Sequence, residues 1–176
     1  RLRSTALGNE NLTLAYVGLM KTNFILNNYS ASASYADTLL TLPTLNDVAR
    51  NSCFLYKAKS LQQDNKKNEA LNFYKQLETL KNSELGCEAR YNIADLYLQQ
   101  NMLKDAEQAA NKSIQEADGF DIWIVRSYIL LADVLTKEKD YFNAKATLQS
   151  IVKNTKIAEL KQEASKKLEE VKKLEK

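Results

Sequence analysis

Acid–base chemistry in this chain would have to come from carboxylates, for instance Asp95 and Asp133, 38 residues apart. Two carboxylates flanking a bound sugar can cleave a glycosidic bond, one as acid and the other as base or nucleophile. Such a pair normally sits in a deep cleft lined with rings that stack on sugars. The chain has one tryptophan, Trp123, and that residue reads better as a packing anchor. With no His anywhere, His-based acid–base catalysis and Ser-His-Asp triads are excluded. Cys53 and Cys87 cannot complete a zinc site of the usual nitrogen and sulfur type by themselves. Nor does one pair of cysteines make a disulfide framework. They read as buried free thiols, with a disulfide as the alternative. The expectation is no catalytic residue, no metal and no cofactor.

Charge narrows the partner classes. The net charge of +3 resides in residues 153–176, which hold eight Lys and five Glu, while the rest of the chain balances. That basic tail has no aromatics, and its Lys alternate with Glu in pairs such as Glu163/Lys167 and Glu169/Lys173. Spacing of four puts such pairs on a solvated helix face. Nucleic-acid binders instead cluster basic residues among aromatics, so no nucleic-acid partner is expected. No apolar run approaches the roughly 20 residues that span a bilayer, so no membrane insertion is expected either. The chain begins at Arg1 rather than Met, which suggests a fragment or a processed form, and any signal peptide would lie outside it.

The elements that position these residues are helices. The 176 residues are 44% apolar with four Gly and one Pro, a content that supports a continuous core but not the many turns of a sheet protein. Small residues recur in pairs twelve apart: Ala58 and Ala70, Ala94 and Ala106, Ala132 and Ala144. Successive pairs are offset by 36 and 38, and a weaker copy has Met20 and Ser32 in the same slots. Two antiparallel helices pack closely only where a small side chain sits at their crossing. A single hairpin cannot bury both its faces, so neighbours must stack. Thr44 followed by Asp47, just after Pro43, reads as a helix start of capping-box character.

These units resemble the tetratricopeptide repeat (TPR) family, whose 34-residue hairpins carry small residues at positions 8 and 20. Position 8 is Ala58, Ala94 and Ala132, and position 20 is Ala70, Ala106 and Ala144. Position 4 is Phe54, Arg90 and Tyr128, and position 11 is Leu61, Tyr97 and Leu135. The chain departs from the pattern in lacking the closing Pro, in having Leu77, Ser113 and Ile151 where Ala is common, and in its longer units. The stretch "WIVRSYILLAD…DYFNAKATLQSIV" before a charged helix also looks like the end of large bacterial TPR proteins, which would imply a cell-envelope location. The expected fold is all-α, an α-α superhelix of about four hairpins at 12–44, 45–82, 83–120 and 121–153. A capping helix follows at 157–174, and residues 1–11 would be the remnant of a preceding repeat.

The resemblance also implies a function. First helices of such hairpins line a groove, and position 9 there is Lys21, Lys59, Asp95 and Asp133, running from basic to acidic. Position 5 adds Val17, Leu55, Tyr91 and Ile129, and position 2 adds Arg126. An apolar strip between charges of fixed polarity suits a segment of another protein. The expected partner-binding residues are therefore Lys21, Lys59, Tyr91, Asp95, Arg126 and Asp133. The known clamp for a C-terminal carboxylate is matched only by Asn92 and Arg126. A non-enzymatic scaffold for a protein or peptide partner is the leading reading. The alternatives are a self-association module, forming a homo-oligomer through exposed repeat faces, and a helical part of a glycan-processing enzyme.

Overall fold

The computed structural model describes residues 2–175, with side chains from residue 11 onward. Every regular element among the described residues is a helix. In order they are α1 (Leu2–Ile25), α2 (Tyr29–Leu40), α3 (Asp47–Gln63), α4 (Lys67–Leu77) and α5 (Glu84–Gln99). They continue as α6 (Leu103–Gln115), α7 (Asp121–Lys137), α8 (Tyr141–Asn154) and α9 (Ala158–Leu174). The protein is all-α, built of consecutive helical hairpins, and it divides into two compact units, residues 1–77 and 78–176. The expected remnant at residues 1–11 meets a continuous helix: from Leu2 the backbone runs unbroken into α1. Its side chains up to residue 10 lie outside the described part.

The turns inside the four hairpins are the same turn. Asn27, Asn65, Asn101 and Lys139 all have positive φ, between 59° and 65°. After each of them an amide reaches back five residues: Asn28 to Asn23, Lys66 to Leu61, Met102 to Tyr97 and Asp140 to Leu135. This six-to-one bond with a left-handed residue before it is the Schellman stop, which satisfies carbonyls that the helix end leaves open. Asn tolerates the left-handed region better than most residues, which accounts for three of the four. The turn residues recur at the same 38, 36 and 38 spacing as the small slots. The hairpin that is weakest in sequence, α1–α2, therefore turns like the rest.

The small slots lie where the helices cross. Ala58, Ala70, Ala106 and Ala144 are fully buried, and Ala94 and Ala132 are 1% exposed. In the first hairpin the larger Met20 faces a Ser, and Ser32 donates its hydroxyl to the Met20 carbonyl at 2.9 Å. Ala94→Leu and Ala132→Leu should each destabilise the protein by about 1–3 kcal/mol through overpacking. Ala146 is exposed on α8, and Ala146→Leu should cost well under 1 kcal/mol. Urea unfolding of the three variants at low protein concentration measures this. Equal losses at all three sites would mean that the crossings lie elsewhere.

In the first unit, Met20, Ala36, Leu39, Leu45, Ala49 and Cys53 form the core between α1, α2 and α3. Asn46, not Thr44, caps α3, accepting the Ala49 amide at 2.9 Å. An Asn one residue before Asp47 puts its side-chain oxygen at the third amide of the helix, where a capping acceptor is needed. Burial pushes the Cys53 thiol up to about 11. Both cysteines are free and buried.

In the second unit the first helices of the hairpins adjoin one another, α5 against α7 and α7 against α9. Leu160, Ala164, Leu168 and Val171 of α9 close over Ile129, Ala132, Ala144, Leu148 and Ile151. At its other end, the segment before α5 lies directly on Gly86: a Cβ there would stand 2.1 Å from the Leu80 carbonyl oxygen. Arg90 fills the slot where neighbouring units carry Phe54 and Tyr128, yet it is only 2% exposed. Its guanidinium donates to the Glu78 carbonyl and, at 3.0 Å, to the Glu116 carbonyl, tying the segment before α5 to the end of α6.

Candidate interaction surface

The structure gathers the six expected residues into two groups, one in each unit. In the first unit Lys21 of α1 and Lys59 of α3 meet over one aromatic pair. Phe24 and Tyr56 stack edge to face with centroids 5.5 Å apart. Lys21 Nζ lies 5.9 Å from the Tyr56 ring, while Lys59 Nζ lies 5.6 Å from Phe24 and 5.8 Å from Tyr56. The position-9 lysines are thus neighbours, as a shared register of α1 and α3 requires, and each cation rests near ring faces. Leu55 and Ile129, expected in an apolar strip on the surface, are buried at 5% and 3% exposure. They are buried side chains rather than part of a surface strip, and Ile129 packs in the core that α9 closes.

In the second unit Tyr91, Asp95, Arg126 and Asp133 converge. Tyr91 on α5 packs against Trp123 at the start of α7, with ring centroids 5.7 Å apart. Its phenol is pushed up to about 12, first by burial and then by Asp95, with Arg126 opposing and Glu163 and Asp133 adding to the rise. Charges on α5, α7 and α9 therefore all reach one phenol. Asp95 accepts a hydrogen bond from Gln99 at 2.6 Å, one turn along its own helix.

Asp133 is held more tightly. Lys167 of α9 donates to both its carboxylate oxygens at 2.8 Å. Burial raises the Asp133 carboxyl above its ordinary value despite the opposing ammonium. The spacing of Glu163 and Lys167 suggested a pair along α9, but the ammonium of Lys167 has turned to α7 instead. Glu169 likewise pairs with Lys172, three residues on, rather than with Lys173. Of the two carboxylates considered for glycoside chemistry, one is thus chelated by an ammonium and the other bonded to an amide.

Arg126 differs from its neighbours. Its guanidinium carbon lies 5.2 Å from the Trp123 ring centre, a cation set against an aromatic face. Its Nε is buried without a hydrogen-bond partner, as is Trp123 Nε1. Both groups are donors only, so what this spot lacks is an acceptor. Composition drew attention to Trp123 as an anchor, but nothing in its spacing showed that it would carry Arg126. Among the described residues no helix is long and apolar enough to cross a membrane. No protein-family model matches this sequence and no curated protein matches it, so what this surface does must be argued from its geometry.

Proposed function

We propose that the protein is a non-enzymatic interaction scaffold of the tetratricopeptide type, and that the face of α5 and α7 around Tyr91 and Arg126, in its second unit, takes a segment of a partner protein. Arg126 carries this reading: a cation set against the Trp123 ring, beside a half-buried Tyr91, with its Nε buried and without a hydrogen-bond partner. Arg and aromatic side chains held in fixed positions are the groups that most often anchor protein interfaces. A guanidinium whose rotamer is already restrained by a ring loses little freedom on binding. The acidic groups that reach the neighbouring Tyr91, Asp95 and Glu163, give the face a local polarity that can set the direction of a bound segment.

The test uses displayed twelve-residue peptides selected on the immobilised protein. Their binding is then measured to Arg126→Glu and to Asp95→Lys. Reversing either charge should weaken the selected peptides at least about tenfold, since like charges facing each other across an interface cost several kcal/mol. The control variant Glu169→Lys/Glu170→Lys, on the exposed face of α9, should bind as the parent does. Circular dichroism must show intact helices throughout. If the α9 control loses binding while both groove variants keep it, the partner binds at the C-terminal end and this assignment fails.

A further inference from the structure

The outer face of α8 carries a knob and a hole. Phe142, in the first turn, is 74% exposed, although a ring of that size is normally buried or bound. Further along the same helix lies a half-open cavity of about 640 Å³ between α7, α8 and the 155–157 loop. Its apolar lining includes Ile124, Val125, Ile151 and Ile157, and Ser150 and Asn154 stand on its α8 side. That volume is in the range of pockets that enclose a ligand or a large side chain. Phe142, Ala146, Ser150 and Asn154 follow one another at steps of four. They form a ridge that crosses the exposed face diagonally.

We propose that this face is the interface of a symmetric dimer, in which two α8 helices cross antiparallel at Ala146 and Phe142 of each copy enters the cavity of the other. A two-fold axis through Ala146 sets Phe142 of one copy opposite Ser150 of the other, at the cavity, so the knob of one copy falls on the hole of its partner. This is the self-complementarity that an isologous interface demands. Ala146 at the axis, followed by Ser150, lets the two backbones approach without a clash. Charge is neutral to the arrangement: Asp140 and Glu138 precede the ridge together with Lys137 and Lys139, and Lys153 and Lys156 lie at its far end. Antiparallel helix dipoles favour the crossing. The face is distinct from the Tyr91–Arg126 surface, so a dimer formed this way leaves that surface free for a partner.

Sedimentation velocity of the full chain over a concentration series should show a monomer–dimer equilibrium. Phe142→Glu should weaken it at least about tenfold, as loss of a central aromatic anchor does. Because Phe142 is exposed, that variant should keep its helical content. Ala146→Cys places a thiol on the two-fold axis and should form a disulfide-linked dimer under mild oxidation. Gln162→Cys, on the exposed face of α9, should not. The native Cys53 and Cys87 are buried and do not compete. A chain that stays monomeric at every concentration overturns the proposal. A dimer that survives Phe142→Glu and leaves Ala146→Cys unlinked also overturns it, and would move self-association to another face, such as the exposed Leu12 and Leu19 of α1.

Discussion

Removal of residues 157–176 lowers the stability of the protein by about 5 kcal/mol or more, and thermal denaturation followed by helical circular dichroism shows it. Leu160, Leu168 and Val171 are 8% exposed or less in the intact chain, and Ala164 is fully buried. Without α9, the faces of Ile129, Leu148 and Ile151 that these residues cover return to water. Each large aliphatic side chain buried contributes about 1.5–3 kcal/mol, and the loss falls on both sides of the contact. Whole domains are stable by only about 5–15 kcal/mol, so the effect is a large part of the total. A truncated chain that melts at the parent's temperature would mean that α9 is not holding the second unit closed.

Arg90→Met should be nearly as damaging, at about 2–5 kcal/mol. A buried ion pair can often be exchanged for apolar residues without loss, provided both partners go. Here the guanidinium has the Glu116 carboxylate at 3.4 Å, but it is also held by the main-chain carbonyls of Glu78 and Glu116, which no side-chain substitution removes. Methionine fills much of the space and leaves both carbonyls without that donor, and each such orphan costs about 1–3 kcal/mol. Arg90→Lys should fall between, because one ammonium on a flexible stem cannot hold the two planar bonds that span from before α5 to the end of α6. Equilibrium urea unfolding decides it. A Met variant within about 0.5 kcal/mol of the parent would show that the two carbonyls find other donors.

The distance between these two cases and the sequence is instructive. The amphipathic stripe of α9, with Leu160, Ala164, Leu168 and Val171 at steps of four and three, could be read directly from the chain. Arg90 could be read only as a departure, a charge in a slot held elsewhere by Phe54 or Tyr128. Nothing in its neighbours pointed to carbonyls 12 residues before it and 26 after it. Asp133 is similar. Its place on the inner face followed from the repeat, but its capture by Lys167, 34 residues downstream, did not. The matching turns at Asn27, Asn65, Asn101 and Lys139 were legible in principle through their 38, 36 and 38 spacing. The left-handed backbone leaves a weak residue signature there, because Lys139 stands where the other three turns have Asn.

By itself the sequence determined that the protein is helical and built of hairpins, and which small residues are buried. Those features are local and periodic, so one turn of helix or one repeat of the pattern contains the reason for each. Only the tertiary structure decided which polar groups pair and which are left over: Lys167 with Asp133, Arg90 with two carbonyls, and Arg126 with an aromatic face and no acceptor. Such pairings depend on the angle at which one hairpin leans on the next. That angle is set by the summed packing of many side chains, and no spacing along the chain records it.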